Sequence, residues 1–379
     1  MRVTNNMLTT TVLRNLNRNL KRLNTYMEQL SSGKTVNRPS DNPVYVSRIM
    51  RLQSMIKNRE KYQQNMEDAQ GFVDMSETAL GNLSDILNRT RELTVYGANG
   101  TLSEEDRKTL AAEVDELINE VIEIANSSYE GRYIFAGHKT TEAPFVRLGA
   151  LTSAFISSGS FADGMYTLTF ESGGMAVLKD SQGNTIASLA YNNLTGETLT
   201  FNDGAGNQLS IVKDASDVAG YTFSIRIEGS NVLASEVAYR GDSGYLEWEV
   251  AQGVTMSVNL PGDQVFLKGG VFLALERVLK ALKDNNAQEL SGSALQKLDQ
   301  ASEGILSSRA VLGAKSNRLS VSIERASQFS LSLIEILSKI EDVDLAAASM
   351  EFSTAENVYR AALQTGTQVL LPTLLDYLR

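Results

Sequence analysis

The sequence predicts an α+β chain. A long antiparallel α-helical coiled-coil bundle is formed by both termini, and an antiparallel β-rich domain is inserted between its arms. Three observations predict it. Heptad stripes sit at both ends, two stretches of about a hundred residues (44–143 and 262–371) contain no proline, and between Gly137 and Gly270 the apolar period changes to two.

The first stripe is Leu13, Leu16, Leu20, Leu23, Met27 and Leu30, at alternating spacings of three and four. A stripe this narrow buries little by itself, so the helix requires a partner. Leu333, Ile336, Ile340, Val343, Ala347 and Met350 repeat the alternation near the other end, and Ala355, Val358, Ala362 and Val369 carry it towards Arg379. The two ends therefore read as one paired structure, with the six positions of the first stripe and Ile340, Val343, Ala347, Met350, Val358 and Val369 as the assembly interface.

After the first helix, SSGKTVNRPSDNP at 31–43 is a loop. Gly33 ends the helix, and Ser40 or Asp41 caps the next, with Pro43 in its first turn. The second helix runs to about Tyr96 on a seam that includes Leu52, Met55, Tyr62, Met66, Ala69, Val73, Leu80, Leu83, Leu87 and Thr90. At 1.5 Å per residue its length is about 80 Å. Gly97-Ala98-Asn99-Gly100 breaks it, and Ser103 with Asp106 caps a third helix on Leu110, Val114, Leu117, Val121 and Ile124. Phe272, Leu275, Leu279 and Leu282 mark a return helix, and a longer one begins near Ser291, with bends expected at Gly304 or Gly313.

Strand-like runs fill the middle: MYTLTFE, MAVLKD, TIASLAY, ETLTFND, QLSIVKD, YTFSIRIE, YLEWEV and VTMSVNL. Ser181-Gln182-Gly183-Asn184 and Asn202-Asp203-Gly204 suggest hairpin turns. Trp248 and Phe223 are expected in the core of this domain. The boundaries drawn are 1–43 for the N-terminal axial helix and loop, 44–140 and 269–335 for the two halves of a helical rod, 141–268 for the β-rich insertion and 336–379 for the C-terminal axial helix.

Composition excludes several chemistries. There is no cysteine and one histidine, His138, so thiolate nucleophiles, disulfide frameworks and His-based triads lose their usual residues. No apolar run approaches the roughly 20 residues of a membrane helix, and MRVTNNMLTTTVLRNL lacks the apolar core of a signal peptide. Net charge is -10, yet a basic run from Arg2 to Arg59 faces only Glu28, Asp41 and Glu60. Without aromatic interleaving it reads as an electrostatic seam rather than a nucleic-acid surface. Glu104, Glu105 and Asp106 complement a helix N-terminus before they suggest acid-base chemistry. No catalytic residues, metal site or cofactor site is expected.

Several stretches together resemble the bacterial flagellin family. They are SSGK at 31–34 leading to NRPSDNP; LNRTRELTVYGANGTLSEEDRKTLAAEVDELINEVIEIAN at 87–126; GRYIFAGHKTTEAPF at 131–145; YRGDSG at 239–244; GVTMSVNLPGDQVF at 253–266; and LGAKSNRL at 312–319. With the heptad termini they cover about 260 of the 379 residues. The two crossings into and out of the insertion, and QVLLPTLLDYLR with Pro372, look more like the family's junction proteins than its filament subunits. ILNRTREL at 86–93 is similar to a flagellin segment sensed by an animal innate immune receptor, but Asn88 and Thr90 depart from that pattern.

The resemblance implies a structural, non-enzymatic part of the extracellular flagellum, an adaptor joining hook to filament, exported through the flagellar type III apparatus without a cleaved signal. The terminal helices would form the inner layer of a tubular assembly, with the β domain outermost. Implied partners are hook-associated protein 1 on the hook side, flagellin on the filament side, copies of the chain itself in a ring, and an export chaperone at the C-terminal helix. Neither nucleic acid nor membrane insertion is implied. Filament subunit is the near alternative, and a secreted adhesin with a ligand-binding β domain is the alternative from another class.

Overall fold

The computed structural model describes residues 5–370 apart from 150, 193 and 215–217. It is α+β. Of the described residues, those within 64–323 form one compact unit, and those before 64 with those after 323 form another.

The terminal unit holds α1 (Asn5–Ser32), the start of α2 (Pro43–Gly97), the end of α6 (Leu295–Glu341) and α7 (Leu345–Leu370). Gly33 takes φ of +72°, which ends α1 as expected. The cap of α2 is Asn42 rather than Ser40 or Asp41: its Oδ1 accepts the Tyr45 amide at 3.3 Å, one residue before Pro43 in the first turn. Asp41 instead accepts the Arg38 amide within the loop. Ile49 and Ile56 of α2 and Ala326 and Leu333 of α6 are buried here, and Arg59 lies over the Phe329 ring at 4.8 Å. Met55, expected on the seam, is exposed, because the buried row passes through Ile56.

In the other unit, α2 from residue 64 runs antiparallel to α6. Gln70 bonds Ser320, Arg309 pairs with Glu77 at 2.7 Å and Arg91 with Asp299 at 2.8 Å. Met66, Ala69, Val73, Leu80, Leu83, Leu87 and Thr90 are buried along α2. The capping box of α3 (Glu104–Ala125) forms between Ser103 and Asp106 as expected. Its buried row is Ala111, Val114, Ile118, Val121 and Ala125, so Leu110, Leu117 and Ile124 flank the seam instead of lining it. Packed beside it, α4 (Val271–Lys283) is buried almost all round, and the short α5 (Ala287–Glu289) leads through a π-helical turn at Leu290–Ala294 into α6. Gly292, with φ and ψ both -106°, makes the break, whereas Gly304 and Gly313 lie within one continuous helix.

Strands β1 (Ser128–Tyr129) and β2 (Arg132–Tyr133) form a small hairpin after α3. The insertion is a sandwich of antiparallel strands: β3 (Phe145–Arg147), β4 (Leu151–Ser158), β5 (Gly164–Glu171), β6 (Met175–Lys179), β7 (Thr185–Ala190), β8 (Glu197–Asn202), β9 (Gln208–Lys213), β10 (Thr222–Glu228) and β11 (Asn231–Tyr239). One sheet has the order β3-β11-β10-β5-β6-β7, the other β4-β9-β8. Leu168, Phe170, Phe223 and Ile225 from the first meet Leu199, Phe201, Leu209 and Ile211 from the second. Both expected turns form: Asp180 Oδ1 accepts the Gln182 and Asn184 amides, and Asp203 Oδ1 those of Ala205 and Asn207.

YLEWEV and VTMSVNL do not join the sandwich. They form a separate hairpin, β12 (Glu247–Ala251) and β13 (Val254–Ser257), in which half-buried Trp248 faces Phe72 of α2 at 6.3 Å and Asn65 donates to the Glu249 carbonyl. Trp248 is thus packed on a helix, while Phe223 is fully buried in the sandwich.

The chain passes between helices and sandwich through an aromatic knot. Phe145 and Phe266 approach to 4.9 Å, Phe135 and Phe266 to 5.1 Å, and the Tyr239 hydroxyl donates to the Asp242 carbonyl at 2.8 Å. At Gly262 a Cβ would stand 2.7 Å from the Phe135 carbonyl oxygen and 2.9 Å from the Phe145 ring, so the crossing requires glycine there. This is the physical content of the GRYIFAG and NLPGDQVF motifs.

Candidate assembly interface

The helices α1 and α7 pair within one chain and run antiparallel. Gly366 faces Val12, Asn19 and Tyr26 border the same gap as Glu351 and Ala355, and Lys34 pairs with Asp342 in an isolated β-bridge. The bridge is the base of the pair. Val343 donates its amide to the Gly33 carbonyl at 2.9 Å, Thr35 donates to the Glu341 and Asp342 carbonyls, and Lys34 forms an ion pair with the buried Glu341. SSGK therefore does local work: its glycine turns the backbone and its lysine neutralises a carboxylate at the α6–α7 corner. Asp344 caps α7 by accepting the Ala346 and Ala347 amides.

On α1 the side chains drawn in from solvent are Val12, Leu16, Asn19, Leu23, Tyr26 and Leu30; on α7 they are Ala348, Phe352, Ala355, Tyr359, Ala362 and Gly366. Both rows step by four and three, the spacing of knobs into holes. Small residues on α7 alternate with aromatic ones, and a gap of about 90 Å³ remains beside Asn19, Tyr26 and Val358.

Of the residues singled out on α1, the structure therefore draws Leu16, Leu23 and Leu30 into the intrachain seam. Leu13, Leu20 and Met27 stay 51%, 36% and 54% exposed, which corrects their placement in one seam. Leu20 lies roughly 60° round the helix from Leu23, so one apolar band served as two rows. At the other end Leu333 is buried, and Ile340, Val343, Ala355 and Ala362 are half-buried. Ile336, Ala347, Met350 and Val358 are exposed. The reason is the corner at Asp342–Asp344: the helix breaks there, and the stripe restarts one residue later, on Ala348 instead of Ala347. The Val369 side chain, Arg2, and the segment holding Pro372 and Arg379 lie outside the described residues.

What remains uncovered forms a second set of apolar positions: Leu13, Leu20 and Met27, seven apart on α1, with Leu345, Met350, Val358 and Leu363 on α7. Arg14, Arg18, Lys21 and Arg22 stand exposed among the α1 positions. Among the described residues, no helix is long and apolar enough to cross a membrane.

Sequence reasoning missed Arg107. It is buried, and its guanidinium donates to the carbonyls of Gly97 at 2.9 Å, Asn99 at 2.8 Å and Leu102 at 3.1 Å, and to Asn285 Oδ1. The only signal available was an arginine at a helical step from Ala111 and Val114.

A filled intrachain seam beside a second uncovered apolar row defines a helical protein with one apolar face left open. Comparison with known proteins sharpens this. Residues 3–140 match the bacterial flagellin N-terminal helical region, and 295–378 match the bacterial flagellin C-terminal helical region. Together these span more than half of the chain, which belongs to the bacterial flagellin family.

The chain is 29% identical to flagellar hook-associated protein 3 of Salmonella typhimurium over 214 residues, 56% of this chain and 63% of that protein. It thus aligns with less than two thirds of that relative's length. It is 28% identical to flagellin A of Vibrio anguillarum over 385 residues, covering 97% of this chain and 95% of that one. A Vibrio parahaemolyticus chain described as a flagellar hook-associated protein shares the fold, with a TM-score of 0.52 at 17% identity over 80% of this chain and all of that one.

Proposed function

We propose that the protein is a hook-associated adaptor of the bacterial flagellum, a structural and non-enzymatic subunit that joins hook to filament. One observation carries the reading: α1 and α7 satisfy each other along one seam, yet keep a second apolar row with heptad spacing on α1 uncovered. Leaving large apolar side chains in water at regular helical spacing is unfavourable unless neighbouring helices cover them, at roughly 25 cal/mol per Å² of apolar surface removed.

In this reading the uncovered positions, among them Leu13, Leu20, Met27, Met350 and Val358, meet hook-associated protein 1 on one side, flagellin on the other and sister copies within a ring. The seam residues Leu16, Leu23 and Leu30 hold the subunit's own ends together. An export chaperone would occupy the C-terminal helix before assembly, and the finished protein would stand outside the cell at the hook–filament junction. Similarity to a hook-associated protein 3 supports the junction role. A second reading, filament subunit, is favoured by the match to flagellin A along nearly the whole chain.

Electron microscopy separates the two. Purified protein is added to isolated hook structures and to flagellin seeds, and particle ends are scored. A short finite layer on hook tips that then accepts flagellin is the expected result. Long filaments of this protein alone would make it a flagellin. Indifference to both ends would favour an adhesin, with ligand binding sought in the β sandwich.

A further inference from the structure

A cleft of about 260 Å³ lies where one face of α4, one face of α6 and the β10–β11 hairpin meet. Four cationic side chains line it, Arg226, Lys268, Arg277 and Lys297, and among the described residues no carboxylate does. We propose that this cleft is a binding site for a small oxyanion of the phosphate type.

Three observations carry the proposal. The first is backbone: Gly269 and Gly270 form the lip, Gly270 takes φ of +66°, and α4, 13 residues long, starts there with no side chain capping its first turn. The amides of an uncapped helix N-terminus favour an anion.

The second is Arg277. Its side chain is only 8% exposed; Nη2 donates to Glu228 at 2.6 Å and Nε faces Glu289 at 3.2 Å, but Nη1 is buried without a hydrogen-bond acceptor. Buried guanidinium nitrogens are normally satisfied, so Nη1 is an unmet donor on a residue of the cleft wall.

The third is the charge balance. Glu228 is already shared among Arg226, Arg277 and Lys297, at 2.8, 2.6 and 3.5 Å. The Lys268 ammonium has its nearest carboxylate, Asp263, at 3.9 Å, beyond hydrogen-bond length. The four cations of the cleft thus outnumber the acids beside them, Glu228, Glu289 and Asp263, and the last is too distant from Lys268 to bond. A doubly charged oxyanion matches helix amides, an arginine fork and lysine point charges together. Bound there, it would bridge α4, α6 and the hairpin.

The test is a ³¹P NMR titration of inorganic phosphate into the full chain at constant ionic strength. Two variants leave the core intact: Lys268→Gln, at an exposed position, and Gly304→Leu, which fills the cleft from α6 at a site where an added Cβ meets nothing within 4 Å. The expected result is saturable binding at one site per chain, weakened at least tenfold in one or both variants. Non-saturating behaviour of the parent protein, or equal binding by parent and both variants, overturns the proposal.

Discussion

Gly366 of α7 faces Val12 of α1 so closely that a Cβ at position 366 would stand 3.3 Å from Val12 Cγ1. The contact fixes how tightly the two ends of the chain close, and it sits in the same row as Ala362, Tyr359 and Ala355.

Gly366→Leu is therefore expected to wedge the seam. Overpacking a fitted interface costs about 1–3 kcal/mol, more than the gain of replacing glycine inside a helix. Amide exchange of α1 and α7 in the monomer should accelerate, while exchange in the sandwich strands stays as in the parent. Unchanged protection of α1 would show that this contact does not set the seam.

Arg107→Ala should destabilise the unit of residues 64–323. It removes a buried guanidinium that satisfies the Gly97, Asn99 and Leu102 carbonyls and Asn285. A loss of about 2–4 kcal/mol is expected in denaturant unfolding, since several buried acceptors are left unsatisfied together. A loss below about 1 kcal/mol would mean that water replaces the arginine.

Glu276 ties α4 to β11: its Oε1 accepts from the Ser235 hydroxyl at 3.0 Å and the Glu236 amide at 2.8 Å, while Oε2 is buried without a partner. Burial pushes its pKa up to about 8, with the neighbouring Glu236 charge adding to the rise and Arg147 opposing it. A carboxyl raised in the folded state contributes stability that is full below its unfolded value, near 4.5, and lost as pH rises through about 8. Unfolding free energy should accordingly fall by a few kcal/mol across that window. In Glu276→Gln, which keeps the acceptor oxygen, this fall should flatten. An identical pH profile for parent and variant would exclude Glu276 as its source.

The fold class was legible because the evidence for it is periodic. Proline-free stretches, the change of period at Gly137, the Ser103–Asp106 capping box and the Asx turns at Asp180 and Asp203 are local signals, and each forms as such. Strands β3, β4 and β11 went unread. β3 has three residues, and β11 interrupts its apolar alternation with Ser235, whose hydroxyl bonds the buried Glu276, and Glu236, whose carboxylate pairs with Arg147. The α1 stripe was read as one seam because Leu20 and Leu23 belong to one apolar band, and only the partner helix decides which edge of that band it covers. The break at Asp342–Asp344 was invisible to a periodicity that ran through it.

The division between a filled intrachain row and an open interchain row is the central claim, and a matched pair of variants tests it most directly. Leu20→Asp and Leu23→Asp are each purified, their α1 amide exchange is measured as monomers, and their incorporation at isolated hook tips is scored by electron microscopy. The expected result is that Leu23→Asp loosens α1 already in the monomer, whereas Leu20→Asp leaves the monomer's helices protected as in the parent and fails to incorporate. Normal incorporation of Leu20→Asp would contradict the account, because the exposed row would then have no neighbour to meet.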